Sequence, residues 1–100
     1  MEKLFLLKPD FEDAKLDPGK KYFCPHCAII EGLFVYYPHL RSQLEVHHVD
    51  FPRPRPVLVD LIGEENQSCP VLIKEDGSFI NETKDIIQHL TTRYHIGEKH

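Results

Sequence analysis

KKYFCPHCAII, residues 20–30, carries two cysteines, Cys24 and Cys27, separated by Pro25 and His26 and followed by an apolar run. Such a pair can be two metal ligands, two redox thiols, or two ordinary core cysteines. The residues that follow settle the local structure first. Ile29, Ile30, Leu33, Phe34, Tyr36 and Tyr37 recur at helical spacing and Pro38 ends the pattern, which predicts a helix over 25–37. Pro25 then takes the first helical position, where its missing N–H would have had no partner anyway. Cys24 falls at or beside the N-cap.

Working outward, Leu4-Phe5-Leu6-Leu7 reads as a short buried strand stopped by Pro9. Residues 10–22 form a polar loop with a turn signal at Asp17-Pro18-Gly19, a length that in a compact domain points to function or mobility. Downstream, residues 44–49 read as a second strand, and Pro52-Arg53-Pro54-Arg55-Pro56 as an extended connector. A short helix over 57–62 stops at Gly63. A third strand covers 71–73, a hairpin turn 75–78, and a fourth strand starts at 79–80. A last helix over 82–94 puts Ile86, Ile87, Leu90 and Tyr94 on one face, with Gly97 near its end. The order β-α-β-α-β-β-α predicts one α/β domain over 1–100, a four-stranded mixed sheet flanked by helices. Its expected strand order is second, first, third, fourth. The first two strands are expected parallel, from a right-handed β-α-β crossover, and the last two antiparallel.

Composition narrows the function classes. The chain has 100 residues, ten aromatics among an ordinary apolar fraction, and a net charge of −4. No basic field argues for nucleic acid or an anionic membrane surface. The apolar run at the N-terminus, Leu4–Leu7, is far shorter than the roughly 7–15 residues of a secretory core or the roughly 20 of a membrane helix. The cytoplasm is therefore the expected compartment. Three cysteines, an odd number, make a poor disulfide scaffold in a reducing compartment.

The chemistry of the pair favours redox. A thiol at a helix N-terminus meets unpaired backbone N–H groups and the positive end of the helix dipole. His26, when protonated, and the upstream Lys20 and Lys21 add positive charge, and all of these favour thiolate over thiol. Cys24 is accordingly the expected nucleophile. Cys27, one turn deeper beside Ile30 and Phe34, suits a resolving thiol that attacks the mixed disulfide. Structural zinc wants four ligands, commonly from two knuckles. This chain offers one knuckle plus Cys69 and histidines without ligand spacing, so zinc is the weaker alternative and no metal is expected. A third alternative is a binding module that uses the same groove without turnover.

With these residues placed, the chain resembles the thioredoxin superfamily over nearly its whole length. The Cys24-Pro25-His26-Cys27 tetrapeptide is similar to that of strongly oxidising bacterial thiol oxidases, without their inserted helical domain. Pro70 matches the superfamily's cis-proline, which packs against the cysteine pair. Pro70-Val71-Leu72, Asp76-Gly77 and Ile80-x-Glu82-Thr83-x-x-Ile86-x-x-His89-Leu90 are similar to glutaredoxins and to the glutathione-binding domain of glutathione transferases. As a whole the chain also looks like a small family of stand-alone thioredoxin-like bacterial proteins. The resemblance implies a thiol–disulfide oxidoreductase whose partners are glutathione or protein thiols and disulfides, with glutathione as co-substrate and no tightly bound cofactor. It implies a cis Cys69–Pro70 bond and contact of Cys69 and Val71 with the cysteinyl part of glutathione. Glu82-Thr83 matches the acidic–hydroxyl dipeptide that holds the γ-glutamyl end. The loop over 9–22 is longer than in those families, Thr83 replaces a serine, and Cys69 is a thiol that most relatives lack.

Other residues carry simpler expectations. Arg53 and Arg55 either bind the glycyl carboxylate through guanidinium forks or flank prolines in a solvated connector. Phe34, Tyr36 and Tyr37 are expected in the core. The remaining histidines are expected at the surface or as satisfied core groups. Glu31, one turn past Cys27, either helps to deprotonate it or lies on a solvated helix face, and the solvated face is the expectation.

Overall fold

A computed structural model describes residues 1–100. The elements in chain order are β1 (Lys3–Leu7), α1 (Pro25–Tyr36), α2 (Leu40–Gln43), β2 (Glu45–Val49), α3 (Pro56–Ile62), β3 (Val71–Ile73), β4 (Phe79–Ile80) and α4 (Thr83–Tyr94). The sheet runs β2-β1-β3-β4. β1 pairs parallel with β2, Leu7 opposite Val49, and antiparallel with β3, Phe5 opposite Val71. β3 and β4 are antiparallel, with Leu72 opposite Ile80. The expected strand order and directions are therefore all present in an α/β fold with a four-stranded mixed sheet. No helix is long and apolar enough to cross a membrane.

β1 forms the centre because its alternating side chains feed two cores. Leu4 and Leu6 pack with Ile30 and Phe34 of α1 and with Ile86 and Leu90 of α4 on one face. Phe5 points to the other face and meets Leu58 of α3, Val71 and Ile73. Each of these buried side chains contributes up to roughly 1.5–3 kcal/mol over exposure.

α1 starts as its sequence dictates, with Cys24 as N-cap in an extended conformation and Pro25 in the first turn. Cys27, Ile30 and Phe34 form its buried stripe, at i, i+3 and i+7. The expectation that Tyr36 lies in the core is corrected, because its side chain is 78% exposed. On a helix apolar all round, spacing alone does not choose the inward face. Tyr37 is half-buried and its hydroxyl accepts the Gly97 N–H at 3.2 Å. A Cβ at Gly97 would lie 2.6 Å from that hydroxyl, so any other residue there would push the Tyr37 ring aside. Gly97 does not end α4. His95 takes the left-handed conformation instead, φ 57°, its N–H reaching Thr91.

The single turn of α2 is an addition to the expected order. In the β3–β4 hairpin Gly77 has φ +90°, and Asp76 accepts the Ser78 N–H and hydroxyl at 2.9 and 2.6 Å.

Candidate functional site

Strand direction brings the chemistry to one end of the sheet. β1 and β2 end there at Leu7 and Val49, β3 begins there after Cys69–Pro70, and β4 ends there ahead of Thr83. The N-termini of α1, α3 and α4 follow from those strand ends. Residues distant in sequence thus share one rim.

At its centre, the Cys24 sulfur accepts the Cys27 N–H at 3.1 Å, one of the helix-start donors that have no partner within the helix. Cys24 is partly exposed, whereas Cys27 is 3% exposed and its sulfur accepts the Leu7 N–H at 3.4 Å. The Cys24 thiol also faces the Cys69 carbonyl at 4.0 Å. The Cys69–Pro70 peptide bond is cis, as is Arg53–Pro54, and Pro70 is buried. All three cysteines are free.

Burial separates these thiols. It pushes Cys27 far up from its ordinary value, the neighbouring Cys24 thiol adding to the effect and the Leu7 N–H opposing it. Burial likewise pushes Cys69 up to about 11, against the opposing charge of Arg55 and Arg53. The lysines upstream do not act as free charges beside Cys24. Lys20 pairs with Asp17 at 3.0 Å and Lys21 with Glu12 at 3.2 Å. His26 lies exposed on the first turn of α1.

Arg55 is neither a solvated connector residue nor a free fork. It is 6% exposed, with its guanidinium donating to the Phe51 carbonyl at 3.0 Å and to the Gln67 carbonyl at 2.6 Å. Its own N–H donates to the Gln67 side chain at 2.7 Å. This staple ties the proline-rich connector to the segment that leads into Cys69 and Pro70. Gln67, itself buried, is a positioning residue that sequence reasoning missed; its place two residues before Cys69 was the available signal. Arg53 remains exposed and lines a cavity of about 340 Å³ with Asp13, Lys15, Phe51 and Arg55.

Val71 is fully buried in β3. Glu82 is the N-cap of α4, exposed and without a side-chain capping bond, and Thr83 follows half-buried at the first helical position. Glu31 is not a free solvated carboxylate. It binds His48 at 2.5 Å and Arg41 at 3.1 Å in a second cavity, of about 400 Å³, which Cys24 and Cys27 also line. No three histidine, cysteine or acidic side chains are grouped as a metal site requires.

Residues 1–98 match the family described as protein of unknown function DUF3088. The chain belongs to that family. No curated protein and no solved structure matches it.

Proposed function

We propose that this chain is a thiol–disulfide oxidoreductase of thioredoxin-like fold, with Cys24 as nucleophile and Cys27 as resolving thiol. The observation that carries the reading is the asymmetry of the pair. The outer sulfur is accessible and held by a helix-start N–H; the inner one is buried directly behind it. Attack by the Cys24 thiolate on a disulfide R–S–S–R′ forms Cys24–S–S–R and releases R′–S⁻, which takes up a proton. Deprotonated Cys27 then attacks the Cys24 sulfur, the Cys24–Cys27 bond forms, and R–S⁻ leaves. The substrate disulfide is reduced and the dithiol oxidised, two electrons in each case. A thiol with a raised pKa remains protonated, and so silent, until the mixed disulfide is beside it.

Glutathione is the proposed small thiol partner. Its γ-glutamyl carboxylate would meet the start of α4, where the Thr83 N–H and hydroxyl donate to an anion beside Glu82. Its cysteinyl part would run along Cys69 and Val71, and its glycyl carboxylate toward Arg53, since Arg55 is occupied. Three unpaired thiols suit the reducing cytoplasm.

The test is reduction of a glutathione mixed disulfide by the wild-type chain and by Cys24→Ser, together with calorimetry of glutathione on wild type and Thr83→Val. Turnover in wild type, its loss in Cys24→Ser, and binding weakened about fivefold in Thr83→Val support the reading. Equal rates in wild type and Cys24→Ser would sink the redox assignment. No binding at millimolar glutathione would remove that partner.

A further inference from the structure

We propose that Glu31 and His48 together accept the Cys27 proton during resolution and return it to the departing thiolate. The inference rests on the redox reading above and assigns a role to two side chains that reading leaves unused.

Three elements converge on the cavity behind the cysteines. Glu31 lies four residues beyond Cys27 on α1, hence on the same helix face one turn along. His48 comes from β2 and Arg41 from α2, and all of them line the same 400 Å³ space as Leu7, Cys24 and Cys27. One Glu31 oxygen holds His48 Nε2 at 2.5 Å and the other holds Arg41 at 3.1 Å. A carboxylate partner requires the ring proton on Nε2, which leaves Nδ1 of a neutral His48 free to accept. Lys8 and Asp50, which line a neighbouring cavity with His48, are paired with each other at 3.0 Å.

As a half-exposed ion triad this cluster would contribute at most about 1 kcal/mol to stability. Its position is what gives it a use. Cys27 is 3% exposed and belongs to the core cluster of Leu6 and Ile30, and this cavity is an open space that it lines, so it offers the thiol proton a way out. The space is roomy enough for several waters to bridge to the pair. Loss of the proton converts Cys27–SH to the thiolate and charges the Glu31–His48 pair by one. The thiolate then attacks Cys24, the Cys24–Cys27 bond forms, and the departing R–S⁻ takes the proton back. The substrate disulfide is the oxidant, and the pair ends as it began. Arg41 is a positioning residue that fixes the carboxylate.

Dithiobis-nitrobenzoate separates the two halves of the reaction. Attack by Cys24 releases one coloured thiolate, and resolution by Cys27 releases the second. Near neutral pH, His48→Gln and Glu31→Gln should each slow the second release on the order of 10²-fold, with the first within about twofold. The second release should recover in alkali, where the thiol ionises without help, and added imidazole should partly restore His48→Gly. Equal slowing of both phases would mark a structural role and overturn the proposal. A second phase unchanged in the variants would overturn it while leaving the redox reading intact. A wild type that releases no second thiolate would overturn both.

Discussion

At one end of the sheet Glu2 is 4% exposed; at the other Cys27 is 3% exposed. Burial works on them in opposite senses because their partners differ. The Glu2 carboxylate accepts from the Tyr94 hydroxyl at 2.7 Å and from His89 at 2.9 Å, with Arg93 at 3.8 Å. Burial alone would raise its pKa; the bonds from Tyr94 and His89 and the charges of His89 and Arg93 override it and hold Glu2 below the usual carboxylate range. Tyr94 answers by rising to about 12, through burial and then its Glu2 acceptor. Cys27 has one backbone N–H and no cation in hydrogen-bond contact, so burial prevails and the thiol stays protonated. The satisfied end locks β1 to α4. The undersatisfied end retains a proton that chemistry can release.

The contrast predicts opposite pH limits. A depressed carboxyl contributes stability that is present above its unfolded value, about 4.3, and is lost as pH falls through the depressed one. A raised thiol contributes stability that is present below about 8.5 and is lost as pH rises toward the value of about 11 for Cys69. Urea unfolding across pH should show the acid limb relieved in Glu2→Gln and the alkaline limb relieved in Cys69→Ser.

Breaking the satisfied end has the largest expected effect. Glu2→Gln leaves the groups around it without their anion and should cost about 3 kcal/mol by urea unfolding, with Cys24 alkylation unchanged. Arg55→Met comes next. It strips the Phe51 and Gln67 carbonyls of their donor and should cost about 2 kcal/mol, with faster alkylation of Cys69 as the loosened segment opens. A slower Cys69 reaction would contradict the staple. Cys69→Ser should change least, retaining disulfide exchange within about twofold because the Cys24–Cys27 pair is already formed by the helix turn. A loss equal to that of Cys24→Ser would bring the third thiol into the mechanism.

What the sequence made legible was local. The strands over 71–73 and 79–80 stand where short apolar runs on either side of the Asp76-Gly77 turn put them, and α1 begins where Pro25 requires. The single turn of α2 carries too few residues to show a period. The site's supports were hidden for another reason: they join residues far apart in sequence. Glu31 and His48 are 17 residues apart, Arg55 and Gln67 12, and Glu2 and His89 87. Each partner has an ordinary solvated reading until the chain crossover brings them together. His47 and His48 point to opposite faces, as strand alternation requires, but only the fold gives them Phe5 and Glu31 as neighbours.

The most direct measurement is the disulfide formed in a single oxidation. The reduced chain is treated with one equivalent of glutathione disulfide, alkylated in acid, and mapped by peptide mass. The account predicts a Cys24–Cys27 bond as the main product, with Cys69 carrying the alkyl group and glutathione found transiently on Cys24 alone. A main product containing Cys69, or glutathione resting on Cys27, would contradict it.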